Sequence, residues 1–329
     1  MVLKVLFPGD SGNLNTPAFL AGYEADTVYV AYSTTDSSYL IYTYRNNDLI
    51  DLRDMSDDSD AVVFAGADND TVLGSAGLDQ YFDQSGNDLA LLGDGEDSVR
   101  AGVGNDTLDG GDGRDWLSFG LIYRDMVSGY DTAPTGVVFD MAKTTRQDLG
   151  FWGKDVIRNF EQVSGTALDD KIYGDAKDNY IDGDNGSDLL LGRAGNDTLK
   201  GWNGADTMVG GRGIDTFVLE GPQGDVVRFL SIKDSAVSNV LGASDTLEYF
   251  GLGQSKIDLS RIDANPATKK NDAFLFRGTD GFSSARGEVR LEISGGSTLV
   301  HVDIDGDGAS EMNFWVTWVT NLTASDFIL

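Results

Sequence analysis

Acidic residues recur along this chain at a fixed interval, and the chemistry they offer is that of hard oxygen ligands. With the fragment AGVGNDTLD (101–109) as template, the pattern G-G-x-G-x-D-x-apolar-x runs without a gap from Ala65 to Ser118. Its sixth position reads Asp70, Asp79, Asp88, Asp97, Asp106 and Asp115. The same frame fits again from Gly165 to Val218, where the sixth position reads Asp170, Asn179, Asp188, Asp197, Asp206 and Asp215. A nine-residue period with an acid set in a glycine-rich turn is the pattern of a parallel β-solenoid that binds Ca²⁺ between its turns. The expected fold class is therefore all-β, a right-handed parallel β-roll with an N-terminal β cap and a C-terminal β domain.

Composition narrows the chemistry further. The 54 acids divide into 46 Asp and 8 Glu in a chain of net charge −30. Aspartate is both the turn-former and the shorter oxygen ligand, so the skew points to turns and Ca²⁺ rather than to solubility alone. Binding to nucleic acid or to an anionic membrane is disfavoured by this charge. The absence of cysteine excludes disulfides and thiolate sites, and the single histidine, His301, excludes any centre needing two imidazoles. No apolar stretch approaches the ~18 residues of a membrane span. The opening MVLKVLFPGD is broken at Pro8 and Gly9 before it makes a secretory signal, so export is expected to use another address.

Stepping from the acids to the elements that hold them gives five segments. Residues 1–63 do not repeat; TVYVAYS (27–33) and YLIYTY (39–44) read as two strands of a hairpin joined by TDSS, forming a cap over the open end of the roll. The tyrosines there (Tyr29, Tyr32, Tyr39, Tyr42, Tyr44) read as exposed, with a sugar-binding surface as the other reading. Residues 64–118 form the first repeat block. Its inward eighth positions are Val72, Tyr81, Ala90, Val99, Leu108 and Leu117, and Asp68 stands at the fourth position where later repeats have glycine. Residues 119–164 interrupt the period but keep strands of the same stack. The second block, 165–219, has inward Ile172, Ile181, Leu190, Leu199, Met208 and Phe217, with Leu168 and Lys177 replacing glycine in its first two repeats. Residues 220–329 read as an all-β tail with core aromatics Phe274, Phe276, Phe314, Trp315 and Trp318.

Such a coil is short of apolar glue. Fixing nine residues costs more backbone entropy than one inward leucine returns, and stacking brings like charges together. Cation binding between turns answers both, so the metal-free chain is expected to be largely disordered and binding energy becomes folding energy. About four to five ions per block are expected from two repeats to a coil.

With these residues set out, both blocks resemble the repeats-in-toxin family. The tail is similar to the C-terminal domain of serralysin-type metalloproteases through FGLGQSKIDLSRIDANPATKKNDAFLFRG, FSSARGEVRLEISGGSTLVHVDIDGDGASEMNFWV and LTASDFIL. The resemblance implies Ca²⁺ held by sixth-position aspartates and backbone carbonyls. It also implies export by type I secretion machinery through an uncleaved C-terminal signal, matched here by Asp326-Phe327-Ile328-Leu329. The zinc helix H-E-x-x-H of the proteases has no counterpart, because the only histidine is His301 in the tail. Protease activity is therefore not carried over, nor are the epimerase and lipase activities whose modules precede such rolls.

Other constellations are weaker. DIDGDG (303–308) sets Asp303, Asp305 and Asp307 ahead of Gly308 like the start of an EF-hand loop, but Phe314 stands where the bidentate glutamate belongs. A metal-free turn and an additional Ca²⁺ site both remain open there. PGDSG (8–12) echoes a serine-protease nucleophile loop without its partners. Lys143, Arg146, Lys154 and Arg158 are the clustered bases a polysaccharide lyase would need, and a solvated loop explains them. His301 reads as an exposed or half-buried strand residue. The expectation is a secreted, extracellular, monomeric Ca²⁺-binding protein without catalytic residues. Its expected partners are the type I secretion machinery and an extracellular polysaccharide or cell surface. The alternatives are an enzyme acting on acidic polysaccharide and a non-catalytic remnant of a secreted protease.

Overall fold

Three-residue strands follow the turns along most of the chain, and their middle residue always points inward. In Ser98–Arg100, Trp116–Ser118 and Thr198–Lys200 the burial alternates half-buried, buried, half-buried, as a period of two requires. The computed structural model describes residues 2–6, 27–31, 38–43, 45–55, 60–120 and 135–329. Among these the only helical element is the short 3₁₀ turn Ala324–Asp326. The chain divides into two compact units, Met1–Thr166 and Ala167–Leu329.

The first unit is two parallel ladders. One runs Val2–Leu6, Thr27–Ala31, Leu49–Asp54, Thr71–Leu73, Leu89–Asp94, Thr107–Asp112 and Lys154–Arg158. The other runs Ser38–Tyr42, Asp60–Ala67, Asp79–Gly86, Ser98–Arg100, Trp116–Ser118 and Gln162–Ser164. The chain alternates between them, so Thr71 pairs with Leu89 and Leu89 with Thr107, one coil per 18 residues. All six inward positions of the block are buried, from Val72 to Leu117. The interrupting segment returns to both ladders and adds Trp152 and Phe139, which pack edge-on against Phe119 at 5.6 and 5.3 Å.

The second unit repeats the plan. Its first ladder is Lys171–Tyr173, Leu189–Ala194, Thr207–Arg212, Val226–Arg228, Lys256–Asp258 and Phe327–Ile328. Its second is Tyr180–Asp182, Thr198–Lys200, Thr216–Val218, Thr246–Glu248 and Met312–Val316. Met312–Val316 then pairs antiparallel with Ser297–Asp303, and that strand with Glu288–Ser294. The parallel coils thus continue past the second repeat block into the tail. Loops there stretch the step from Thr216 to its partner Thr246 to 30 residues, which hides it from a nine-residue frame.

Four expectations need correction. The strands at Thr27–Ala31 and Ser38–Tyr42 form no hairpin: each pairs parallel, in a different ladder. Period-two alternation is common to hairpins and parallel coils, so the pattern could not choose between them. Tyr39 is buried, and Tyr42 is half-buried in an outer stack with Phe64 and Phe82 at centroid spacings of 4.7 and 4.4 Å, closed by Arg100 over Phe82. Trp318 is 84% exposed rather than core. Its φ of +60° turns the chain just after Met312–Val316 and breaks the alternation. His301 is buried at 4% exposure, with Nδ1 3.0 Å from Ser310 Oγ and Nε2 3.2 Å from Glu292 Oε2. Residues 35–37 of the TDSS turn, PGDSG, Tyr32 and Tyr44 lie outside the described residues.

Leu199 is fully buried between the inward Ile181 and Phe217 of neighbouring coils. Leu199→Ala is expected to lower stability in saturating Ca²⁺ by about 2–5 kcal/mol through lost burial and an unfilled cavity. Chemical denaturation of both proteins in the same calcium buffer measures this, and a difference below about 1 kcal/mol would mean that the inward row is not a packed core.

Candidate metal centre

Every sixth-position residue of both blocks is buried. In eight of the aspartates one carboxylate oxygen has the same structural duty, while in Asp79 it is Oδ2 that is engaged, by the Ser75 N–H at 2.7 Å. Oδ1 accepts the backbone N–H of the sixth-position residue one coil earlier: Asp88 from Asp70 at 2.6 Å, Asp97 from Asp79 at 2.8 Å, Asp106 from Asp88 at 2.9 Å and Asp115 from Asp97 at 2.8 Å. In the second unit Asp188, Asp197, Asp206 and Asp215 accept in the same way from Asp170, Asn179, Asp188 and Asp197. The turn amides are thereby satisfied by side chains, as buried N–H groups require.

The other oxygen is bare. Oδ2 of Asp70, Asp88, Asp97, Asp188, Asp197, Asp206 and Asp215 is buried and accepts no hydrogen bond. Glycine lines the space it faces. A Cβ on Gly192, Gly201 or Gly210, the first position of each repeat, would collide with Oδ2 of Asp197, Asp206 or Asp215. The Cβ position at Gly192 also lies 2.8 Å from the Gly210 carbonyl oxygen of the next coil. At the fourth position a Cβ on Gly104 would strike the Gly86 carbonyl one coil back. The result is a row of narrow cradles bounded by a carboxylate oxygen and backbone carbonyls, without a donor. That donor set suits Ca²⁺, a hard cation taking carboxylate and carbonyl oxygens together. When bound, the cation supplies the positive charge that this row lacks.

The electrostatics agree. Burial is the largest influence on each shifted sixth-position acid and pushes it upward: Asp70, Asp97 and Asp188 to about 8, Asp106 and Asp215 to about 7, and Asp79, Asp197 and Asp206 to about 6. The accepted backbone N–H opposes the shift, and neighbouring carboxylates add to it in most cases. Asn179 departs from the row. Its Oδ1 faces Gly174 and already accepts the Asp175 N–H at 2.8 Å, and its unpartnered atom is an amide nitrogen, so only an engaged oxygen is offered to a cation.

Four further acids do the same work out of frame, and a fifth, Asp48, heads the row. Asp48 donates its N–H to Asp70 Oδ1 at 2.8 Å, which sets it at the head of the row. Asp155 accepts from Asp106 at 2.8 Å, Glu161 from Asp115 at 3.2 Å, Asp225 from Asp206 at 3.1 Å and Asp245 from Asp215 at 2.9 Å. Burial raises Asp155 and Asp225 to about 7 and Asp245 to about 9. A sequence signal existed: D-x-apolar recurs as Asp48-Leu49-Ile50, Asp155-Val156-Ile157, Asp225-Val226-Val227 and Asp245-Thr246-Leu247. Asp83 also joins the row, through a cluster with Asp88 and Asp106.

The DIDGDG loop is different. Oxygens of Asp303, Asp305, Asp307 and Glu311 lie within 4.8 Å of one another, so the fourth acid is Glu311 rather than a residue at the position of the buried Phe314. Both oxygens of Asp303 are occupied by its own loop, accepting N–H from Gly306 at 2.7 Å and Gly308 at 3.0 Å. Glu311 accepts from Ile304 at 2.7 Å. Two of the four basic residues of the interrupting segment are paired: Arg158 with Asp109 at 2.7 Å and Lys154 with Asp148 at 3.5 Å.

Comparison with known proteins fits this geometry. The RTX calcium-binding nonapeptide repeat matches in four copies, at residues 57–90, 82–117, 164–199 and 182–217. The chain carries RTX repeats, and Ca²⁺ is the cation these repeats bind. Among solved structures, the chain is similar to the R3 subunit of a mannuronan C5-epimerase from Azotobacter vinelandii, at 23% identity over 49% of this chain and 78% of that one, with a TM-score of 0.26. The R2 subunit of the same enzyme is 23% identical over 51% of this chain and 91% of that one, with a TM-score of 0.22. The extracellular lipase LipA from Serratia marcescens is 16% identical over 79% of this chain, with a TM-score of 0.33, and the chain spans 40% of its length. No curated protein sequence matches the chain.

The raised acids fix a pH response. Their unfolded value is 3.8, so the metal-free fold holds their protons more tightly than the unfolded chain does. That advantage is complete below about pH 4 and is lost as pH rises through the folded values of about 6 to 8. In chelator, β structure is expected to decline from pH 4 to pH 8. In Ca²⁺ the trend reverses, because protons displace the cation from the same oxygens. Circular dichroism across pH in both buffers measures the two trends, and parallel curves would contradict the assignment.

Proposed function

We propose that the chain is a secreted calcium-binding protein whose repeats fold on Ca²⁺ outside the cell, after export by type I secretion machinery. It acts there as a non-enzymatic binding or structural protein toward an extracellular polysaccharide or cell surface. The observation that carries the reading is the row of buried, unpartnered Oδ2 atoms facing glycine cradles. A carboxylate so placed destabilises the fold unless a proton or a cation meets it. The ligands of that cation are the sixth-position residues Asp70, Asp79, Asp88, Asp97, Asp106, Asp115, Asp170, Asp188, Asp197, Asp206 and Asp215, joined by Asp155, Asp225 and Asp245. Pairing of Arg158 and Lys154 with acids of their own unit supports the non-enzymatic reading over an enzyme acting on acidic polysaccharide.

The C-terminal motif supports export in the unfolded state. Asp326 is buried and accepts the Gly253 N–H at 3.0 Å and the Thr323 N–H at 2.8 Å. Phe327 packs 5.3 Å from Phe276, and Phe327–Ile328 pairs with Lys256–Asp258. A signal held this way is legible to a transporter only before the tail docks.

Two experiments test the reading. At pH 8 far-UV circular dichroism should show a disordered chain in chelator and a cooperative gain of β structure in millimolar Ca²⁺, with Asp197→Asn plus Asp215→Asn shifting the midpoint to higher calcium. A full β spectrum in chelator at pH 8 would refute it. Separately, a passenger fused to residues 220–329 should leave a cell carrying type I machinery, and removal of Asp326–Leu329 should retain it inside. Equal export of both fusions would remove the secretion claim while leaving calcium folding intact.

A further inference from the structure

Asp83 stands at the first position of its nonapeptide, a place where every repeat of the second block has glycine. In that block the position lies hard against the bare oxygen of the repeat's own sixth-position acid, as Gly192 does against Asp197. In the repeat 83–91 a carboxyl group occupies this place. The outcome is a cluster in which Asp83, Asp88 and Asp106 each present a carboxylate oxygen, all within 4.8 Å of one another and all on buried side chains.

Each acid is fixed by one oxygen. Asp83 Oδ2 accepts the Gly102 N–H at 3.2 Å, Asp88 Oδ1 accepts from Asp70 at 2.6 Å, and Asp106 Oδ1 accepts from Asp88 at 2.9 Å. Asp83 Oδ1 and Asp88 Oδ2 accept nothing. A second departure lies in the field of the same acids. Tyr81 is the only hydroxyl among the twelve inward residues of the two blocks. Its oxygen is buried without a partner, in the field of Asp83, Asp88, Asp70 and Asp106. Apart from the Gly102 N–H, what acts on Asp83 is burial and its acidic neighbours. Three carboxylates in one dry volume, each held by its own backbone contact, with a buried and unpartnered phenol in their field, form a built site without its positive charge.

We propose that Asp83, Asp88 and Asp106 enclose one hard divalent cation that is held more tightly than those of the regular cradles. The inference rests on the reading that the rows bind Ca²⁺. The third carboxylate raises the ligand charge, which is the main lever on Ca²⁺ affinity. Ca²⁺ suits the site better than Mg²⁺, which gives up its waters reluctantly and is disfavoured where the surroundings are dry. Asp83 is thus a ligand specific to this repeat, and the ion it holds is the last to leave the first unit.

The test uses the full chain purified in Ca²⁺, beside Asp83→Gly, which restores the residue of the second block, and Asp83→Asn, which keeps the shape and removes the charge. Dialysis against graded chelator with elemental analysis counts the ions retained. The wild type should keep one Ca²⁺ per chain at free calcium about tenfold below that which empties the other sites. Both variants should lose that ion while still gaining β structure in millimolar Ca²⁺. A wild type that releases all its ions in one transition overturns the proposal whatever the variants do, as does a tight ion that survives in either variant. Absence of any Ca²⁺-dependent folding in the wild type would instead overturn the reading of the rows, and this site with it.

Discussion

A buried carboxylate with one oxygen satisfied and one bare is the constraint on which this structure turns. Three residue types at equivalent places show what the second oxygen is for. Aspartate closes the amide of the neighbouring coil and presents an unpartnered oxygen. Asn179 spends its oxygen on its own turn, accepting the Asp175 N–H beside Gly174, and leaves a buried amide nitrogen without a partner. Ser255 takes the Asp225 N–H at 3.4 Å and presents nothing beyond its hydroxyl, and there the acidic row of that ladder stops. The amide alone could be met by any acceptor, so the repeated choice of aspartate concerns the oxygen that faces the glycines.

Apolar packing takes over where the acids run out. Within the first block the inward row includes Ala90, which offers little area to its neighbours. Beyond the second block the inward residues become aromatic: Phe217 meets Phe229 at 6.1 Å, and Phe229 stacks on Phe314 at 4.6 Å. The antiparallel strand Ser297–Asp303 is buried along its whole length. The second unit therefore grades from coils joined through cation cradles to strands joined by burial.

The regular part of this arrangement was legible because two periods coincide. A nine-residue repeat sets the acid and a two-residue alternation sets the inward face, so Asp215 and Phe217 could be placed together. Legibility ended where loops varied in length. Asp245 lies 30 residues from Asp215 yet accepts its N–H, and only the local D-x-apolar triplet betrays it. Parallel and antiparallel pairing share the same alternation, which is why Thr27–Ala31 and Ser38–Tyr42 read as a hairpin. Trp318 looked like core because it continues a run of aromatics, but a positive φ carries it outward. Glu311 was missed because the loop closes three residues earlier than an EF-hand frame allows, leaving Phe314 to face inward.

The docking of the C-terminus ties these parts into one dependence. Phe327 pairs with Ile257, Ile257 with Val227 and Val227 with Met208, so the last strand rests on coils whose turns carry Asp206 and Asp225. Lys256 reaches across to the Ser325 carbonyl at 2.6 Å, and Asp326 is pinned by the turn at Gly253. None of these contacts can form before the coil at Lys256–Asp258 exists, and that coil stacks on a layer whose acids are raised by burial to about 6 and about 7. Conditions that leave those carboxylates charged and unmatched therefore expose the tail, and conditions that match them bury it. On the proposed reading, the calcium difference across the cell envelope sets when the tail is legible and when it is locked away, without a separate switch.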